Sequence, residues 1–395
     1  MEKTWRWFGE RDKVTLQMMR QIGVEGVVTA LHGRAPGELW TEAEIRAVQR
    51  RIEAAGMRWS VVESLPVSEA IKYGGADRDA LIGTYIQSLD NLGRCGIRTV
   101  CYNFMPVIDW VRTDLERPME DGTLSLYFDF LRFAYFDIKI LRRENAAQDF
   151  PPEIVQQAEA LDRTITEAEK VQLVDTIITK TQGFINGPLG SGEASPVERF
   201  RALMRPYADI SRQQLRENLR YFLEAVMPVC RRRDIRLCIH PDDPPMPVFG
   251  LPRIVCDADD IRWILSAVDD FHNGLTFCAG SLSAGAHNDV EAMAREFAPR
   301  THFVHLRSCK LLPGGDFVEA PHTDGRVKLT ELVRIFMREG RHLPMRVDHG
   351  RTMLGDEHAA YPPGYGFHGR MLALGQVEGM MAAVRDELQL NKSEI

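Results

Sequence analysis

Four residues in the second half of the chain are of types that could jointly hold a metal ion: His240, Cys278, His305 and Asp348. Each sits at the end of a short apolar run of strand character, "RLCIH" (236–240), "GLTFCAG" (274–280), "THFVHLR" (301–307) and "LPMRVDHG" (343–350). Imidazole, thiolate and carboxylate are all metal donors. Singly, each residue has a plain structural explanation: a hydrogen-bonded strand-end histidine, a small core cysteine, an aspartate capping the next segment. Their recurrence at the same end of four successive strands favours a common site. There is no Cys-x-x-Cys pair, so a closed structural zinc is disfavoured. A mixed donor set with a carboxylate and open positions suits Mn²⁺ or Fe²⁺ acting as a Lewis acid, with Zn²⁺ as an occupant in preparations.

Such a site requires a scaffold that brings the ends of distant strands together. Strand-like runs at 4–9, 26–32, 58–64 and 98–104 precede these four, and amphipathic segments alternate with them. One helix is marked by Thr41 as N-cap, Glu44 at the capping-box position and Gly56 as stop. Eight strand–helix units predict an α/β fold, a (β/α)₈ TIM barrel spanning 1–395 as one domain. Catalytic groups in such barrels lie at the C-terminal ends of the strands. The remaining strand ends offer Arg6 and Trp7, His32, Glu63 and Asn103, and Arg307 follows the seventh strand. Arg6, Trp7, His32, Asn103 and Arg307 are therefore expected to contact substrate. Arginines at the mouth suit a carboxylate-bearing substrate; as solvated loop charges they are explained equally well. His349 would face away from Asp348 in a regular strand, but can turn into the site where the strand ends. Beyond it, "YPPGYGFHGR" (361–370) brings Tyr361, Tyr365 and His368, and a tyrosine hydroxyl there could serve as an acid.

Residues 105–212 exceed any ordinary connection between the fourth strand and its helix. Helical periodicity over 126–181, followed by the Gly/Pro/Ser-rich "GFINGPLGSGEASP", predicts a helical insertion on the loop face of the barrel, as a lid or a contact within a homodimer.

Composition narrows the class further. A net charge of −7 disfavours nucleic acid as a partner. No apolar run reaches the ~18 residues of a membrane span, and the N-terminus lacks the order of a secretory signal. Seven irregularly spaced cysteines fit a reduced, cytoplasmic protein better than a disulfide scaffold. Gly-x-Ser-x-Gly, Walker and Gly-x-Gly-x-x-Gly motifs are absent.

The strings "WRWFG", "GVVTALH", "WSVVES", "GIRTVCYNFMPVIDWVRTDL", "HPDDPP", "GLPRIV", "HLRS", "DHG" and "PGY" resemble the mannonate dehydratase family of the UxuA type, from residue 2 to about residue 380. The resemblance implies a barrel similar to the xylose isomerase group, Mn²⁺ or Fe²⁺, and dehydration of the sugar acid D-mannonate to 2-dehydro-3-deoxy-D-gluconate in hexuronate breakdown. It implies metal ligands at His240, Cys278, His305 and Asp348, a catalytic tyrosine at Tyr365 and a carboxylate contact at Arg6. "RVDHG" stands where the family usually has Arg-Pro-Asp-His-Gly and "FCAG" where it has Cys-Thr-Gly, while 140–200 and 308–325 match poorly. Elimination of water needs a base and an acid, here Tyr365 and His349 in either assignment, with Asp348 as ligand and orienter. A metal-dependent sugar isomerase or epimerase, or a non-catalytic sugar-acid-binding protein, are the alternatives.

Overall fold

The computed structural model describes residues 1–182, 195–357 and 359–393. The strands are β1 (Glu2–Arg6), β2 (Gly26–Thr29), β3 (Arg58–Glu63), β4 (Thr99–Tyr102), β5 (Asp114–Pro118), β6 (Leu124–Phe128), β7 (Arg236–Ile239), β8 (Asn273–Cys278), β9 (Thr301–His305), β10 (Cys309–Leu311), β11 (Phe317–Glu319) and β12 (Pro344–Arg346). Eight of them close a parallel barrel in the order β1-β12-β9-β8-β7-β4-β3-β2. The fold is the expected TIM barrel, each strand set where the apolar runs placed it. Strands such as β8 and β9 are buried along their whole length, as parallel strands between a barrel core and a helical ring must be. The Thr41 cap forms its predicted box with Glu44 at the head of the helix Glu42–Ala54.

Inside the barrel, Val28, Val61, Cys101, Cys238 and Phe303 pack as one buried layer. Side chains on a strand alternate faces, so the residue two places on points the same way. Two places beyond Val61, Cys101, Cys238 and Phe303 stand Glu63, Asn103, His240 and His305. The polar layer at the mouth is thus the next storey of the barrel interior. The same alternation sends Arg6 inward and its neighbours Trp5 and Trp7 out into the core between barrel and helices.

The long connection after β4 differs from the helical insertion predicted for 105–212. It begins with the hairpin β5–β6, which pairs with β10 and β11 in an antiparallel sheet of order β10-β11-β6-β5. Leu126 to Phe128, read as the start of a helical run, are strand because Tyr127 and Phe128 pair with Val318 and Phe317. Helical segments follow, from Phe130–Tyr135 to Pro196–Met204. Phe133, Phe136 and Phe200 pack on Phe249, from the loop after β7, in a second hydrophobic core. Of the Gly/Pro/Ser-rich stretch, residues 183–194 lie outside the described residues. Among the described residues no helix is long and apolar enough to cross a membrane.

Candidate metal centre and active cleft

His240, Cys278 and His305 each offer a ligand atom, and these atoms lie within 4.8 Å of one another. His240 Nε2 and His305 Nδ1 are 3.3 Å apart. Two nitrogens at ~2.05 Å from one ion, 90° to 109° apart, are separated by roughly 2.9–3.4 Å, so the pair fits two adjacent corners around a cation. The ring nitrogens away from the cluster are also spoken for. His240 Nδ1 lies 2.7 Å from the Pro241 carbonyl, which can only accept; Nδ1 therefore carries the proton and Nε2 keeps its lone pair for the cluster. His305 Nε2 lies 3.4 Å from Glu63 Oε1 and 3.1 Å from Arg346 Nε. Arg346 Nε donates to Nε2, which places the neutral ring's proton on Nδ1; ligation through Nδ1 calls for the other tautomer, with Nε2–H turned to Glu63 in place of the Arg346 bond.

The electrostatics suit a cation. Burial, and then the Arg346 guanidinium, hold His305 well below the usual imidazole range and so in its ligating neutral form. For His240, burial opposes a proton, yet the Cys278 sulfur beside it wins and raises it well above that range. A divalent ion held there would take over that positive charge and free Nε2 of the second proton, leaving its lone pair to ligate.

Asp348 borders this group without belonging to its tight core. Its Oδ2 is 3.6 Å from His305 Nδ1 and 3.8 Å from Cys278 Sγ. The carboxylate already accepts from Arg307 Nε on Oδ2 and from Arg346 Nη1 on Oδ1, both at 2.5 Å. Burial opposes its charge, but Arg346, His349 and Arg307 keep it well below the usual carboxylate range. With a φ of +61°, Asp348 takes the left-handed conformation that Asp tolerates better than most residues. The chain turns there, two residues past the end of β12, and His349 joins Asp348 in lining the cleft.

This cleft is ≈ 580 Å³, counting its open mouth. Tyr365 lines it, with its hydroxyl 3.2 Å from Asp348 Oδ1 and its ring edge-on to Phe8 and His349. Burial raises the phenol, so Tyr365 keeps its proton at neutral pH. His349 Nδ1 is 3.2 Å from Glu319 Oε1. A carboxylate only accepts here, so Nδ1–H donates and Nε2 is left as the basic nitrogen.

Glu319 carries no signal in the sequence reading. It reaches the site because β11 pairs with β6 of the insertion, a contact no local periodicity encodes. It also accepts from Arg112 Nη2 at 2.6 Å and Arg307 Nη1 at 2.8 Å. Burial would raise Glu319, but Arg307 and Arg112 override it and hold the carboxyl at about 2. Removing one member of such a network leaves buried charge uncompensated. Glu319→Gln is expected to lower unfolding stability by about 3–5 kcal/mol, seen as a lower denaturant midpoint, and to loosen His349. An unchanged midpoint would count against the network.

The expected substrate contacts divide. Arg6 lines the cleft and pairs with Glu63 at 3.3 Å. Asn103 lines it as well. Arg307 lines it, but is spent on Asp243, Glu319 and Asp348 at 2.5–2.8 Å; it builds the floor and is not a clamp awaiting an anion. Trp7 and His32 do not line the cleft. Trp7 faces outward by strand alternation, and His32 Nε2 is held by Thr29 Oγ1 (3.2 Å) and the Trp7 carbonyl (3.3 Å). Burial, then Arg6, drop His32 to about 4. It stands one ring removed from the site, behind Phe8. Arg346, which the sequence reading passed over on the eighth strand in favour of Asp348 and His349, lies two places before Asp348 and bonds Glu63, His305 and Asp348. In "HPDDPP", Asp243 anchors Arg112 and Arg307, while Asp242 receives the backbone N–H groups of Ile254 and Val255. Tyr361 and His368 lie outside the cleft lining; His368 pairs with Asp356.

Residues 1–391 match the family model described as D-mannonate dehydratase (UxuA). A mannonate dehydratase of Chromohalobacter salexigens is 43% identical over 394 residues, covering 98% of this chain and 99% of that protein. The crystal structure of mannonate dehydratase from Streptococcus suis serotype 2 superposes with a TM-score of 0.79 at 31% identity, covering 98% of this chain and 96% of that one. A xylose isomerase domain protein from Alicyclobacillus acidocaldarius shares the fold alone, with a TM-score of 0.50 at 12% identity over 98% of this chain and 99% of that one.

Proposed function

The chain belongs to the D-mannonate dehydratase (UxuA) family, and on that premise we propose that its cleft binds D-mannonate beside a divalent cation and eliminates water from it. The observation that carries this reading is the compact His240, Cys278 and His305 group, whose His240 lines the cleft together with Tyr365 and His349. We assign the three residues, with Asp348 as a fourth donor, to Mn²⁺ or Fe²⁺. When bound, the ion supplies a positive charge that stabilises negative charge developing on the substrate's carboxylate end.

The chain's own residues account for the proton traffic. In the reaction C2 loses a proton, C3 loses its hydroxyl with the bonding pair, and that hydroxyl leaves as water once protonated. The enol that remains becomes the 2-keto acid by taking a proton at C3 and losing the one on its C2 hydroxyl. His349 Nε2, its ring oriented by Glu319, and the Tyr365 hydroxyl, steadied by Asp348, are the two groups placed to take and give protons. Arg6 is the arginine of the cleft with a single carboxylate partner within reach, and serves the substrate carboxylate. Trp110 and Tyr365 flank His349 and screen it from bulk water.

The test is incubation of chelator-stripped protein with D-mannonate, with and without Mn²⁺, under reducing conditions. Formation of a 2-keto-3-deoxy acid that depends on added metal is the expected result. An isomer of the same mass as the substrate would instead point to isomerisation or epimerisation.

A further inference from the structure

Four acids line the cleft: Glu63, Asp109, Asp243 and Asp348. Glu63 pairs with Arg6 and Arg346, Asp243 with Arg112 and Arg307, and Asp348 with Arg307 and Arg346. Of these four, Asp109 alone has no arginine, lysine or histidine of the described residues within salt-bridge distance. Its one side-chain contact is a neutral donor, Asn103 Nδ2, 3.3 Å from Oδ2. Burial raises its carboxyl above the usual range, with only the more distant His240, Arg253 and Lys72 working against that.

Asp109 is half-buried and lines the cleft, so its carboxyl is open to a ligand there. Chance does not explain its position, because the backbone around it is held on several sides. Its N–H donates to Gln182 Oε1 at 2.8 Å, and the same amide donates to the Trp110 carbonyl at 2.8 Å. Arg253 Nη2 donates to the carbonyls of Ile108 and Asp109 at 2.6 and 3.3 Å. Val111 N–H bonds to the Asp243 carbonyl at 3.0 Å, zipping the loop to the segment that follows His240. Asp109 is a built feature of the cleft.

Its place in the barrel says which part of a ligand it meets. In the closed order of eight strands, β4 and β12 are four places apart and so lie on opposite sides. Asn103 and Asp109 follow β4, while Asp348, His349 and Tyr365 follow β12. A sugar acid whose reacting carbons sit between the metal group and Tyr365 extends its other end toward Asp109. That end carries hydroxyls, and a carboxylate accepts from two neighbouring hydroxyls with its two oxygens.

Resting on the dehydratase reading, we propose that Asp109, steadied by Asn103, binds the C5 and C6 hydroxyls of the six-carbon acid and so selects substrates by the length and configuration of their tail. It is a specificity residue, outside the proton transfers.

The experiment compares Mn²⁺-loaded wild type, Asp109→Asn and Asn103→Ala on D-mannonate and on the four-carbon aldonate with the same C2 and C3 configuration, which lacks C5 and C6. Metal content and melting temperature are measured alongside. For Asp109→Asn, kcat/KM on D-mannonate should fall roughly 10- to 100-fold, the worth of charge-assisted hydrogen bonds. Its kcat/KM on the four-carbon acid should be unchanged, so the preference for the longer acid collapses. Asn103→Ala should show the same selective loss at smaller size, and carries the test if Asp109→Asn does not fold. An equal loss on both acids, or no loss on either, overturns the proposal. A wild type that dehydrates neither acid is a failure of the dehydratase reading, read from the wild-type arm alone.

Discussion

Cys278→Ala should leave a folded protein that no longer retains Mn²⁺ through dialysis and whose kcat/KM on D-mannonate is lower by on the order of 10³-fold or more, the several kcal/mol that a Lewis-acid cation contributes. The residue lies at the centre of the arrangement. Its sulfur is one of the three ligand atoms of the compact group, accepts from Ser281 Oγ at 3.1 Å and lies 3.8 Å from Asp348 Oδ2. Losing one small side chain from a fully buried strand end leaves the barrel's hydrogen-bonded register untouched, so loss of metal and loss of fold separate cleanly. Metal stoichiometry by elemental analysis, a thermal melt and a product assay decide the matter together. Full metal occupancy and full activity in the variant would remove Cys278 from the centre. The same would then hold for the proposed use of His240 and His305, which are grouped with it.

Tyr365→Phe should retain the metal and bind substrate with little change in KM, yet lose ~10²–10⁴ in kcat, the usual worth of a positioned acid or base. Only the hydroxyl is removed. The ring keeps its edge-on packing against Phe8 and His349, at centroid distances of 4.9 and 5.2 Å, so the cleft keeps its shape. A loss confined to kcat means the interaction is made in the transition state. A rise in KM with kcat preserved would make Tyr365 a binding residue and leave His349 to handle both protons.

Much of this site was legible because a barrel strand converts sequence position into direction. Once "RLCIH" and "THFVHLR" are strands, Cys238 with His240, and Phe303 with His305, must face the same way, and the barrel axis is the only common meeting point. Tyr365 was accessible through its Gly/Pro loop and through the family resemblance. The alternation that placed Arg6 in the cleft also excluded Trp7, and applying it to adjacent residues would have removed Trp7 from the expected contacts. Arg346 was equally readable, because two places before Asp348 it shares that residue's face of the strand.

The charge pairing was not legible. Arg112 meets Glu319 across 207 residues of sequence, and Arg307 meets Asp243 across 64. No periodicity relates such positions; they meet because the barrel closes and the hairpin β5–β6 lays its edge against β11. That closure decides that Arg307 is neutralised while Arg6 keeps reach, that His349 has a carboxylate behind it, and that Asp109 has no paired cation among the described residues. The barrel, its inward layers and the metal-type donors at their rim could be read from the chain alone, since these follow from a two-residue repeat and a strand count. Which charges cancel and which remain for a substrate depends on the folded arrangement, because electrostatic energy follows distance through space and burial, and neither is a local property of the chain.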